Sequence, residues 1–167
     1  MKKHVTDPVK AVLYFFSAII FGTLSITAFA GKHAILSAVY GAAFLIYFGL
    51  SIYCCCMFSV DEKGVTRSFF GKVLVYIPWD KVREFGIANL KVIKNHNKNK
   101  IGEVYIYFSP SEMTDEKRLS MCLKWPPKNI CYLRFSVSRL KDIQQFTEEK
   151  PILFWMTEEA YLDKFFR

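Results

Sequence analysis

The chain has 167 residues, of which 52% are hydrophobic, 17% aromatic and 23% charged, with a formal net charge of +8. A composition this apolar excludes a disordered chain. Lys10 and Lys32 bracket 21 residues without a single Asp, Glu, Lys or Arg, and His33 and Asp61 bracket 27 more. Two such runs, each longer than the roughly 18 residues that mark a membrane helix, argue against a wholly water-soluble domain.

Residues 1–10 form a short cationic tail. Ala11 to Ala30 has the length of a first membrane helix, and Ala34 to Cys56 that of a second, since a bilayer core takes about 20 helical residues. Gly31, Lys32 and His33 leave room only for a tight antiparallel hairpin. A cleaved leader is the competing assignment for the first run, because Lys2 and Lys3 precede it and Ala28-Phe29-Ala30 has an A-x-A pattern; its length exceeds the usual apolar stretch of about 7–15 residues. Lys2, Lys3 and Lys10 precede the first helix, and nine Lys or Arg against four acids occupy residues 57–100, whereas the loop carries Lys32 alone. The positive-inside rule then places both termini in the cytoplasm and the protein in the plasma (inner) membrane as a multi-pass protein. Ser37 and Gly41, Ala34, Ala38 and Ala42, and Ala18 and Gly22 recur at four-residue spacing, which brings helix backbones close. Packing within the hairpin is the expected use, with a homodimer interface as the other.

Residues 57–167 read as a β-rich α+β unit. Asp61-Glu62-Lys63-Gly64 is a turn, Val65 to Phe70 a strand, Gly71-Lys72 a two-residue turn and Val73 to Ile77 the next strand. Pro78-Trp79-Asp80 interrupts, and Ile87 to Ile93 resumes. A polar loop runs from Asn95 to Lys100, followed by a clear strand, Val104 to Phe108. Thr114 caps a short helix to about Cys122, and Trp125-Pro126-Pro127 fits neither helix nor central strand. Ile130 to Phe135 is a strand. Ser138 caps a helix carrying Leu140, Ile143 and Phe146, Ile152 to Trp155 is a last strand, and Thr157-Glu158-Glu159 opens a terminal helix. Six or seven strands with late helices result. Val104, Ile106, Phe108, Leu133, Phe135 and Trp79 are the expected core.

The run Phe58-Ser59-Val60-Asp61-Glu62-Lys63-Gly64-Val65-Thr66-Arg67, followed by Ile77-Pro78-Trp79-Asp80-Lys81-Val82, resembles the bacterial pleckstrin-homology-like (PH-like) domains. The resemblance covers residues 57–90. It implies a PH-like barrel or sandwich, membrane hairpins placed before it, and a scaffold or lipid-proximal role without catalytic residues. The segment from Met113 to Lys128, and the strand and helix after the expected closing helix, depart from that pattern.

Catalytic, cofactor and metal sites find no candidate. Cys54, Cys55 and Cys56 are consecutive and project about 100° apart on a helix, so they cannot share an ion. Cys122 and Cys131 stand alone, His96 lies among Asn and Lys, and no glycine-rich phosphate loop exists. The cationic excess is the informative feature. Lys91, Lys94, Lys98 and Lys100 lie in ten residues without an acid, and each lysine near an anionic leaflet is worth about 1 kcal/mol. These four are the candidate membrane-surface site. Nucleic acid is disfavoured, because the loop lacks aromatics on which bases would stack. The expected function is a non-enzymatic, hairpin-anchored module whose cytoplasmic domain binds a partner protein or anionic lipid headgroups, with no cofactor. Its rivals are an accessory subunit acting on a membrane partner, or on itself, through the hairpin, and an enzyme acting on lipid.

Overall fold

The structure is a computed structural model describing residues 1–89, 102–118, 129–154 and 156–166. It divides into two units, Val5–Cys56 on one hand and Met1–His4 with Met57–Arg167 on the other.

The first unit is a helical hairpin. Helix α1 spans Pro8–Ala30 and α2 spans Ala34–Cys54. At 1.5 Å per residue they measure about 35 and 32 Å, long enough to cross a bilayer core. Asp7 caps α1 by accepting from the Lys10 amide at 3.1 Å, and Pro8 takes the first turn, where its missing N–H costs nothing. The small residues bring the helices together, as expected. Ala18 is fully buried, a Cβ on Gly22 would meet the Phe44 ring at 3.3 Å, and Ser25 and Ser37 exchange hydroxyl-to-carbonyl hydrogen bonds of 2.9 and 3.0 Å. Ser51 donates to the Ala11 carbonyl at 2.8 Å. Ala34, Ala38 and Ala42 face outward. Phe15, Phe16, Ile20, Ile26, Phe29, Ile35, Leu45 and Ile46 are exposed. Only 11% and 6% of the most apolar windows of the two helices are buried, whereas a core helix of a soluble protein would be mostly covered.

The second unit holds two four-stranded sheets. The first has the order β1-β2-β3-β4, with β1 at Lys2–Val5, β2 at Met57–Asp61, β3 at Gly64–Phe69 and β4 at Lys72–Pro78. The second has the order β7-β6-β5-β8, with β5 at Glu84–Asn89, β6 at Val104–Ser109, β7 at Cys131–Arg134 and β8 at Ile152–Phe154. The β2–β3, β3–β4, β5–β6 and β6–β7 pairings are antiparallel, and β5 pairs with β8 in parallel. Between the sheets, Phe58, Val60, Val65 and Ile77 meet Phe85, Ile87, Ile106, Phe108 and Leu133. The rings of Phe85 and Phe108 stack at 4.7 Å. Helix α3, Val137–Gln144, adds Leu140 and Ile143 to this core, and α4, Glu158–Phe166, packs Tyr161 and Phe165 on Phe135. Every expected core residue is buried or packed on this cluster.

Several boundaries differ from the sequence reading. Residues 2–5, read as tail, form an edge strand, so the described strands number eight. Lys2 and His4 reach Asp142 of α3 at 3.5 and 3.2 Å, a pairing across 138 residues that local pattern does not carry. The β3–β4 turn is Phe70-Gly71, not Gly71-Lys72: both residues have positive φ (45° and 81°), and Phe69 pairs with Lys72. A bulge follows, because Arg67 pairs with Val75 but Ser68 with Val73. The extra residue, Leu74, breaks the in–out alternation, and Lys72, Val73 and Leu74 are all exposed. Strand β5 starts at Glu84 rather than Ile87, separated by two residues from a 3-10 turn at Trp79–Lys81. Ser136, not Ser138, caps α3, accepting from the Arg139 amide at 3.3 Å. Thr114 does cap a helical turn over residues 115–118, accepting from the Lys117 amide at 3.3 Å.

The β1 contacts are pH-sensitive. Burial, followed by the neighbouring Arg139 charge, holds the His4 imidazole below its usual 6.5, outweighing Asp142. The folded chain thus keeps His4 neutral where the unfolded chain takes up a proton, so stability falls as pH drops below about 6.5. Thermal unfolding of the detergent-solubilised chain at pH 7.5 and 5.5 should show this loss, and His4→Gln should shrink it.

Candidate functional site

Three polar features and one surface stand out among the described residues. The first is a knot around Glu84, whose carboxylate is 4% exposed at the start of β5. It accepts from the Tyr107 hydroxyl at 2.5 Å, from Arg118 Nε and Nη2 at 2.8 and 2.9 Å, and from the Met113 amide at 2.9 Å. Gly86 makes this possible, because any Cβ there would overlap the Tyr107 phenol. Burial alone would raise the Glu84 carboxyl, but the Arg118, Tyr107 and Met113 donors outweigh it and hold it below the usual range. Burial and the adjacent carboxylate push Tyr107 upward. With four donors on two oxygens, this carboxylate has no lone pair left for acid–base work. It fastens residues 110–118 over the outer face of β5 and β6, where Ala88, Tyr105, Tyr107, Met113, Ile130, Tyr132 and Phe154 form a second cluster.

The second feature is Arg67 on β3, 6% exposed, its guanidinium 4.8 Å from the centre of the Tyr132 ring. Its Nε and Nη1 are buried without a hydrogen-bond partner among the described residues. The third is Cys131, fully buried, its thiol 3.7 Å from the carbonyls of Val65 and Val75. Burial pushes this thiol up to about 12, so no thiolate forms at neutral pH and the group is not a nucleophile. No group of three His, Cys, Asp or Glu that would hold a metal ion occurs among the described residues.

The surface belongs to β4, the last strand of its sheet. Residues 74–78 line one wall of an open groove of about 310 Å³, completed by Lys81, Pro110 and Asn129. Around the strand, Phe70, Val73, Leu74 and Tyr76 are 83%, 56%, 43% and 50% exposed. An apolar edge strand left open is the usual place for a contact from outside the chain.

The expected surface site, Lys91, Lys94, Lys98 and Lys100, lies outside the described residues, as do His96, Cys122 and Trp125-Pro126-Pro127. Of the features found, the knot joins Glu84 to Arg118 across 34 residues and has no local signature. The β4 surface was within reach of the sequence: KVLVYIP is apolar at consecutive positions where a half-buried strand alternates. No protein-family model, no curated protein and no solved structure matches the chain.

Two variants test the polar features. Glu84→Gln removes the buried counter-charge of Arg118, which keeps only its 2.6 Å bond from Nη1 to the exposed Asp115 carboxylate, and should cost about 2 kcal/mol in chemical denaturation. Its carboxylate also contributes stability that is present above the unfolded carboxyl value and is lost as pH falls through the depressed folded one, so the variant should flatten the acid limb. Arg67→Met removes a buried guanidinium that has no hydrogen-bonded counter-charge among the described residues. Unfolding should show stability unchanged or raised by up to about 2 kcal/mol; a clear loss would show that the guanidinium is compensated.

Proposed function

We propose that this chain is a membrane-anchored, non-catalytic binding module. The hairpin fixes it in the bilayer, and the β-rich unit presents β4 and its flanking turn for contact. The observation that carries this reading is the apolar β4 surface. Among the described residues it is an open apolar strand edge, whereas the Glu84 carboxylate and the Cys131 thiol are tied up in the fold. The resemblance of residues 57–90 to PH-like domains points the same way. It implies a two-sheet β unit with a closing helix, and the shared core of the two sheets with Leu140 and Ile143 of α3 fits that description.

The membrane reading rests on the length of α1 and α2 and on the apolar side chains they leave uncovered. In water this surface would cost on the order of 25 cal/mol per Å². With both flanking strands in one sheet, the hairpin leaves and returns on one side, which the lysine distribution makes the cytoplasmic side of the plasma membrane. A second reading, an accessory subunit acting through the hairpin, draws on the outward stripe of Ala34, Ala38 and Ala42, whose spacing suits close helix approach.

Labelling with an impermeant thiol reagent tests the topology. In a background with every Cys→Ala, Lys32→Cys should react in intact cells and Glu62→Cys only after permeabilisation. The reverse pattern would overturn the orientation, and labelling of both in intact cells would overturn the membrane anchoring itself.

A further inference from the structure

We propose that the tip of the β3–β4 hairpin dips into the membrane interface, seating Phe70, Val73 and Leu74 at the boundary of headgroups and acyl chains with Lys72 among the phosphates. This rests on the membrane-anchored reading and names the surface through which the β-rich unit meets the lipid.

The turn chemistry comes first. Phe70 and Gly71 both have positive φ, the geometry of a two-residue turn that favours Asn-Gly. A bulky aromatic at φ 45° strains the backbone. The fold recovers little from it, since the ring is 83% exposed and its described ring partner is the adjacent Phe69 at 4.7 Å. A side chain that neither suits its turn nor packs in its fold points to a contact beyond the fold.

Register then says what that contact is. Met57, the first residue of β2, pairs with Ser68, and Phe69 pairs with Lys72, so the tip sits at the end of the sheet where β2 begins. Two strand spacings of about 4.8 Å separate β2 from β4. Strand β2 begins three residues after Cys54, the last residue of α2, a reach of about 10 Å of extended chain at most. The exposed apolar tip is therefore at the end of the sheet that is tied to an apolar helix by the shortest of links. Charge is sorted along the same axis. Residues 65–77 carry Arg67 and Lys72 and no acid, while Asp61, Glu62 and Asp80 outnumber Lys63 and Lys81 at the opposite end, where Gly64 pairs with Pro78. A second copy pairing along β4 would cover Val73 and Tyr76 but leave Phe70, which lies beyond the last ladder pair, in water. The bilayer interface takes all of the tip at once, and an aromatic beside a lysine suits it.

The test uses the full chain reconstituted in phosphatidylcholine–phosphatidylglycerol vesicles. Phe70→p-benzoylphenylalanine, irradiated, should yield an adduct heavier by one phospholipid, at least tenfold more than Glu62→p-benzoylphenylalanine at the far end of the sheet. Chain-to-chain adducts at position 70, or no lipid adduct, would overturn the proposal. Phe70→Asn separates contact from folding: its melting temperature in detergent should equal or exceed that of the parent, and a fall would show that Phe70 serves the fold instead. Alkaline carbonate extraction distinguishes the two levels. A chain that stays with the membrane yet gives no lipid adduct at position 70 overturns this inference alone, whereas release of the chain overturns the anchored reading beneath it.

Discussion

The architecture depends on one piece of connectivity: β1 and β2 are neighbours in a single sheet, and the residues between them, 6–56, are the helical hairpin. Adjacent strands lie about 4.8 Å apart, so the chain must leave and re-enter the sheet at nearly one place. Two antiparallel helices of 23 and 21 residues joined by a three-residue loop meet that requirement in its shortest form. The hairpin's open end is closed accordingly, with the Thr6 amide donating to the Cys56 carbonyl at 2.7 Å and the Asp7 amide to the Cys54 carbonyl at 3.3 Å. The hairpin is an insertion in the β unit rather than an appendage ahead of it.

The two sheets divide the labour that follows. The second is buried on both faces: β5 and β6 are buried at all six positions each, and the Glu84 knot holds a covering segment over the outer face. Its polar groups serve cohesion, and opening them would leave a desolvated carboxylate or guanidinium. Among the described residues, the first sheet has no such cover along β4. The bulge at Leu74 and the Phe70-Gly71 turn put apolar side chains into the open instead of hiding them. Local rules of turn choice and alternation are broken here and kept in most other places, and a functional contact is where such violations belong.

Much of this was legible in the sequence. The two charge-free runs gave the hairpin, and the aliphatic–aromatic alternation of residues 104–108 and the periodicity of Leu140 and Ile143 gave core elements, because burial imprints composition directly. What was hidden depends on distant pairs. Residues 2–5 are too few and too charged to declare a strand, and they are one because β2 and Asp142 receive them. Glu84 reads as an ordinary surface acid until Tyr107 and Arg118 are placed beside it. The Phe70-Gly71 turn was misplaced by one residue because a Phe at positive φ contradicts the preference used to locate turns.

Protection of the β1 amides tests the insertion most directly. In hydrogen–deuterium exchange of the full chain in lipid nanodiscs, the peptide covering residues 2–5 should exchange at least tenfold more slowly than an unstructured peptide of the same sequence, and Asp142→Asn should speed it. Exchange at the unstructured rate would mean that β1 is a free tail and that the hairpin is not inserted in the sheet.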